Sequence, residues 1–394
     1  GRNTMSMKIK TIINAIKKGN KIKAAGYINE NAILLEAGQG KNINGNMFAL
    51  LKNIEYDKQW SKYIPYFVVT DSTVDAAKER CQFYNFKKVQ FVIRDTQEYW
   101  KLLTSCKYVM TDNSFPTLYT KQPGQVYLNT WHGTPIKKMG ADVGCNNKSF
   151  KGKGHWKLDY FTCQGEFEQE IFCRVFNSLS KDKAHVIGLP RNDIYANYNK
   201  EYMITLRKKM GIAIDKRVIL YAPTFREYDK SSSMEVKVSV PIQIEKWRKE
   251  LGEDYVLLFR AHYEVAKGLN IKDDDFVREM SSYPQLEDLM IVSDLLISDY
   301  SSIFFDYSIM SKPMLAFCYD YERYNAERGM YFDIREWLPN AENEDDLLML
   351  IKSGMIEKQV LMTRRFQQKF VTAYGFATKQ SLDVLFNELN KTHD

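Results

Sequence analysis

Residues Leu295–Asp306 read LLISDYSSIFFD: a short apolar run, a polar turn, and a second apolar run opened by two serines. The first run has the length of a buried strand, and serine ahead of an apolar helical run is an N-cap signal. A strand that turns directly into a helix is half of a βαβ unit, the building block of a parallel sheet. Working outward, Val218–Tyr221, Tyr255–Phe259 and Met314–Cys318 also read as buried strands. Towards the N-terminus, Ala32–Leu35, Tyr66–Val69, Val89–Ile93, Tyr108–Met110 and Val126–Leu128 form a second series, with helical stretches at Asn46–Asn53 and Thr73–Gln82. The pattern predicts two α/β halves joined near residues 190–210. Their expected spans are 25–200 and 201–394, and the stretch Asn343–Lys391 reads as helical throughout. A length of 394 residues suits two such domains.

Composition narrows the class. The chain is 44% hydrophobic and 27% charged, a globular balance. No run of about 18 apolar residues and no secretion leader are visible, so the expectation is a soluble, cytosolic protein. The six cysteines are scattered without a C-x-x-C pair, which argues for reduced, mostly buried thiols. The net charge of +7 is localised: residues 1–24 hold Arg2, Lys8, Lys10, Lys17, Lys18, Lys21 and Lys23 and no acid. The rest of the chain is balanced, which argues against nucleic acid as a partner, since a nucleic-acid binder carries a basic stripe on its folded face. Within residues 1–24, Ile9, Ile12, Ile13 and Ile16 share one helical face. Two readings stand for this basic amphipathic arm: a first helix packed on its own domain, or a helix lying on anionic lipid.

Ligands of parallel α/β sheets bind at the carboxyl ends of the strands. Four strand ends carry unusual polar residues. Val126–Leu128 runs into NTWHGTP, placing His132 in a tight loop beside Gly133, Thr134 and Pro135. Such a histidine is either a hydrogen-bonded structural residue or a general base. Tyr255–Phe259 runs into Arg260-Ala261-His262, a cation and an imidazole suited to phosphate, or a surface ion pair. Leu295–Ser298 leads to Ser301 and Ser302 at a helix start, an anion site or an ordinary cap, with Asp306 one turn on. Val218–Tyr221 leads to Thr224 and Arg226. Between the halves, Lys137, Lys138, Lys148, Lys151, Lys153 and Lys157 face a single acid, Asp142. That segment is either a solvated loop or, with Gly133 and Thr134 beside His132, a receiver for an anionic acceptor. No G-x-x-x-x-G-K-[ST] or G-x-S-x-G motif occurs, no G-x-G-x-x-G follows the first strand, and no metal site or resident cofactor is expected.

These fragments together resemble the CDP-glycerol glycerophosphotransferase family, the primases and polymerases of wall teichoic acid and some capsules. The motifs that carry the likeness are NTWHGTP at Asn129–Pro135, GLPRND at Gly188–Asp193 and YAPTFR at Tyr221–Arg226. They continue with Arg260-Ala261-His262, SDYSSIFF at Ser298–Phe305 with Asp306, and RGMYFD at Arg328–Asp333. The resemblance implies a GT-B-like architecture, two Rossmann-like domains facing across a cleft, acceptor side first and nucleotide side second. It further implies transfer of a polyol phosphate from CDP-glycerol or CDP-ribitol to a hydroxyl, with release of CMP. His132 and His262 match the catalytic histidines of the family, and Arg191, Thr224, Ser301, Ser302 and Asp306 match positions around the CDP moiety. Arg226 and Arg260 join the donor set, and Lys137, Lys138, Gly133 and Thr134 the acceptor set.

The expected acceptor is a prenyl-diphosphate-linked saccharide, met at the inner face of the cell membrane. The sequence departs from the family pattern at Glu36–Asn46 (EAGQGKNINGN), which leaves acceptor and polyol open. Two rivals remain at this level. One is a GT-B glycosyltransferase using a nucleotide sugar, and the other a non-enzymatic module that binds anionic lipid or polymer.

Overall fold

A computed structural model describes residues 24–143, 157–226, 240–262, 265–266 and 271–391. Residues 1–23 of the basic arm, together with Lys148, Lys151 and Lys153, lie outside the described residues. Two parallel sheets organise the chain. The first has strands β1 (Asn29–Glu36), β2 (Ile64–Val69), β3 (Gln90–Ile93), β4 (Cys106–Thr111), β5 (Val126–Asn129), β6 (Tyr160–Cys163) and β7 (Ala184–Val186) in the order β3-β2-β1-β4-β5-β6-β7. The second has β8 (Arg217–Tyr221), β9 (Tyr255–Phe259), β10 (Val277–Glu279), β11 (Leu295–Ser298), β12 (Met314–Phe317) and β13 (Asn340–Ala341) in the order β10-β9-β8-β11-β12-β13.

Each sheet contains the doubly wound order of a Rossmann fold, and together they make the GT-B-like class expected from the sequence. The strands are buried on both faces, as parallel strands flanked by helices are: Ile33, Leu34, Leu35 in β1 and Leu257, Leu258, Phe259 in β9 are fully inaccessible. In both sheets the strand order reverses between the first and fourth strands of the set. The reversal falls between β1 and β4 in one and between β8 and β11 in the other. Loops leaving these strands part there and open a crevice, the general ligand position of such sheets.

Every strand expected from the sequence forms, with ends shifted by up to three residues. Four short strands, β6, β7, β10 and β13, were not expected; none exceeds four residues, too short to show a period. The C-terminal stretch is not one helix but three, Glu344–Lys352, Ile356–Phe370 and Ala377–Lys391. Gly354 (φ +71°) and Gly375 (φ +93°) stand in the two breaks, in the left-handed region that glycine adopts without strain. Cys81, Cys106, Cys163 and Cys318 are buried and unbridged, as the spacing suggested.

The division of the chain differs from the expected spans. Among the described residues, 24–132, 157–193 and 376–391 form one compact unit, and 133–143 with 194–375 form the other. The last helix returns to the first unit because Leu382 and Leu385 are buried in its core with Leu35, Met47, Leu51 and Phe67. Its first turn is held there by Asp193, whose carboxylate accepts the N–H groups of Ala377 and Thr378 at 2.8 Å each. A carboxylate on otherwise unpaired helix N–H groups is a favourable cap.

Candidate active site

In the first unit, β5 ends at Asn129 and the chain turns sharply. Trp131 takes a left-handed conformation (φ +51°), unusual for a bulky residue and costing about 1–3 kcal/mol. The turn is held by its neighbours. Asn129 Oδ1 accepts the Trp131 N–H at 2.7 Å, and the Thr130 N–H reaches the Thr111 carbonyl at 3.1 Å. The indole is buried edge-on against Phe172 and Phe176 and stacks on the His132 ring at 4.2 Å.

His132 is exposed, and its Nδ1 lies 2.7 Å from the Asp112 carbonyl oxygen. A carbonyl only accepts, so Nδ1 carries the hydrogen and Nε2 holds the lone pair of the neutral ring. That is the tautomer a general base requires. Arg191 Nη1 donates to the His132 carbonyl at 3.0 Å, bringing GLPRND to NTWHGTP.

Two acids at this sheet end were not singled out from the sequence. Asp112 follows β4, is buried, and accepts the Gly38 N–H at 2.8 Å. Burial raises its carboxyl above the usual range, partly offset by that N–H and by the neighbouring His132 and Arg191. Glu36 closes β1 with no exposed surface; burial pushes it up to about 7 against the opposing pull of Arg94 and the Tyr99 hydroxyl. The strand-end position was the signal that could have found both.

In the second unit, the YAPTFR and SDYSS segments leave β8 and β11 on either side of the crevice. Asp299 joins them. Its carboxylate takes the Thr224 N–H at 3.1 Å, the Thr224 hydroxyl, the Tyr300 N–H at 2.8 Å and Arg226 Nη1 at 3.1 Å. Arg226 also reaches Asp320 through Nε at 2.7 Å and Nη2 at 3.2 Å. The rings of Tyr300, Tyr319 and Tyr324 enclose its guanidinium at 5.2, 4.9 and 5.0 Å. Arg226 is 2% exposed, and its forked donors are engaged by two carboxylates inside the unit.

Arg260 follows β9 and gives Nη1 to the carbonyls of Met280 and Tyr283. Among the described residues its Nε and Nη2 have no hydrogen-bond partner. His262 is exposed, its ring 5.0 Å from Phe225. Ser301 and Ser302 are half-buried and precede the helix Ile303–Ser308, with Ser301 Oγ accepting the Ile303 N–H at 3.2 Å. Asp306 lies in that helix's first turn and is 9% exposed.

The expected acceptor residues are placed differently from the prediction. Gly133, Thr134, Lys137 and Lys138 belong to the second unit, not to the first sheet. Lys137 pairs antiparallel with Met330, the Lys138 N–H donates to Gly329 at 3.1 Å, and the Tyr331 N–H donates to Ile136 at 3.0 Å. The Tyr331 hydroxyl accepts the Met139 N–H and donates to Asp142 at 2.7 Å. RGMYFD is therefore a clasp for the segment after His132. Gly329 has φ +76°, and a Cβ there would meet Lys138 Cδ at 3.0 Å. Thr134 is fully buried, so only the two lysines retain side chains at the surface.

The family described as CDP-Glycerol:Poly(glycerophosphate) glycerophosphotransferase matches residues 20–375. A teichoic acid glycerol-phosphate transferase of Staphylococcus aureus (strain NCTC 8325 / PS 47) is 30% identical over 375 residues, 91% of this chain and 93% of that protein. A teichoic acid poly(glycerol phosphate) polymerase of Bacillus subtilis (strain 168) is 31% identical over 79% of this chain, which spans 42% of the polymerase. The solved structure of the wall teichoic acid polymerase TagF shares the fold, with a TM-score of 0.83 at 24% identity over the whole of both chains.

Proposed function

The chain belongs to the CDP-glycerol:poly(glycerophosphate) glycerophosphotransferase family, and on that premise we propose that it transfers glycerol phosphate or ribitol phosphate from a CDP-polyol to a hydroxyl of a lipid-linked acceptor. One observation carries the reading: His132 is exposed at a strand end with Nδ1 tied to a carbonyl and Nε2 left as the basic nitrogen. Nε2 takes the proton of the acceptor hydroxyl as its oxygen attacks the β-phosphorus of the CDP-polyol. The bond from that phosphorus to the bridging oxygen breaks, and the electron pair leaves with CMP. Arg260, His262, Thr224 and the Ser301–Ser302 turn are assigned to the pyrophosphate and the departing CMP, and Asp306 to ribose hydroxyls. Arg191 is assigned to the CDP moiety as well, beside its contact with the His132 carbonyl. Positioning and electrostatics supply most of the rate in phosphoryl transfer.

The deciding experiment incubates the purified chain with CDP-glycerol or CDP-ribitol and a prenyl-diphosphate disaccharide. CMP release with a product heavier by one polyol phosphate or more is expected. Turnover of a nucleotide sugar with release of a nucleoside diphosphate would instead make it a glycosyltransferase.

Within the donor set, Arg260→Ala is expected to raise the KM for the CDP-polyol about tenfold with the acceptor KM unchanged. That is the size of a lost charge-assisted hydrogen bond of about 1.5 kcal/mol. A weakened acceptor and an unchanged donor would reverse the assignment.

For the acceptor to be lipid-linked, the enzyme must work at a membrane surface. Among the described residues no helix is long and apolar enough to cross one. The reading rests on the basic arm, where each lysine near an anionic leaflet contributes about 1 kcal/mol. Deleting residues 5–23 is expected to abolish binding to anionic vesicles while activity on a soluble acceptor persists. Aggregation of the truncated chain would mean that Ile9, Ile12, Ile13 and Ile16 pack on the first domain.

A further inference from the structure

The segment Glu36–Asn46, which connects β1 to the next long helix, ends on a residue with an unusual pair of contacts. Asn46 stands in the first turn of the helix Gly45–Tyr56, whose Met47, Leu50, Leu51 and Ile54 are fully buried in the core of the first unit. Its side chain is 1% exposed. Nδ2 donates to the Trp131 carbonyl at 3.2 Å, and Oδ1 accepts the Arg191 backbone N–H at 3.0 Å. Arg191 Nη1 in turn donates to the carbonyl of His132, the residue after Trp131. The contacts close a ring through Asn46, Trp131, His132 and Arg191.

We propose that Asn46 is a positioning residue for the base: its amide closes this ring and so sets the corner from which His132 works. The inference rests on the reading of His132 as the base. Trp131 sits in a left-handed conformation that persists only where its surroundings over-determine it. The Asn46 amide supplies part of that determination, because it grips the carbonyl of the strained residue from a helix packed into the core. An amide suits the position. It carries a donor and an acceptor on one planar group, whereas a carboxylate accepts only and an alkyl group does neither. Loss of the amide leaves a buried carbonyl and a buried N–H without this partner and frees the corner to relax. A shift of about 1 Å in a reacting group can cost a hundredfold in rate.

The test compares Asn46→Ala, His132→Ala and the double variant for kcat, for the KM of CDP-glycerol and for melting temperature. Asn46→Ala is expected to lower kcat about 30- to 100-fold with the donor KM within about twofold of wild type. The double variant is expected to be no slower than His132→Ala alone, since a residue that acts through His132 has nothing left to position. If Asn46→Ala fails to fold, Asn46→Asp takes its place, keeping shape and acceptor while losing the donor. A single variant within threefold of wild-type kcat, or a double variant slower by the full product of the two factors, overturns the proposal. Wild-type turnover in His132→Ala alone is a separate result: it removes the base assignment itself, whatever Asn46 does.

Discussion

Replacing His132 by alanine is expected to lower kcat by a hundredfold or more while the protein stays folded. The size is that of a lost general base, which typically contributes 10²–10⁴-fold. The fold should survive because the ring is exposed. Its loss removes a stacking partner from Trp131 but leaves the indole buried against Phe172 and Phe176. The Asp112 carbonyl, freed of Nδ1, gains access to water in the space the ring vacates. Circular dichroism and a melting curve separate chemistry from folding in this variant. His262→Ala, in the other unit, is expected to lose turnover on the same scale with its fold intact, since that side chain is also exposed. Near-native turnover in either variant would remove that histidine from the mechanism.

Arg226→Ala should behave in the opposite way, with its main effect on stability. Burial alone would weaken the guanidinium's hold on its proton, but the carboxylates of Asp299 and Asp320 more than offset it and raise the pKa. Asp299 is 1% exposed and Asp320 has 14% of its side chain exposed, so removing the arginine strands at least one buried negative charge. Breaking a buried pair from one side costs about 3–5 kcal/mol. For a unit of this size that is a fall of roughly 10 °C in melting temperature. Because Asp299 also fastens Thr224 and Tyr300, the crevice between β8 and β11 should loosen with it. A variant that melts like wild type and only raises the CDP-polyol KM would return Arg226 to the ligand.

The contrast between these arginines shows where sequence reading stops. Arg226 and Arg260 both follow a buried strand by one to five residues, and both look equally suited to phosphate. Their fates differ because Asp299 and Asp320, 73 and 94 residues further on, converge on one of them. Nothing local to YAPTFR or FRAH carries that information. Asp112 escapes notice for the related reason that a short polar residue in a loop reads as a turn former, and Asn46 because a polar residue at a helix start reads as an ordinary end of that helix. Each acquires its part only when a distant segment arrives, Gly38 and the His132 ring for the first and Trp131 and Arg191 for the second.

Element type and sheet class were legible because they depend on local pattern. Apolar runs of four or five residues between helical stretches admit few structures other than a parallel sheet, and β9 and β11 form over the residues expected of them. The ordered motifs from NTWHGTP to RGMYFD identified the family, and with it the reaction, for the same reason: residue types at strand ends are written in the chain. The assignment of segments to units was decided in three dimensions. The last helix joins the first sheet because Leu382 and Leu385 find their core there, and Lys137 and Lys138 join the second unit because RGMYFD supplies the backbone partners for their segment. A hydrophobic face or an unpaired N–H states that it needs a partner without saying which. That choice is made by the packing of the whole chain, where every buried polar group must be matched at once.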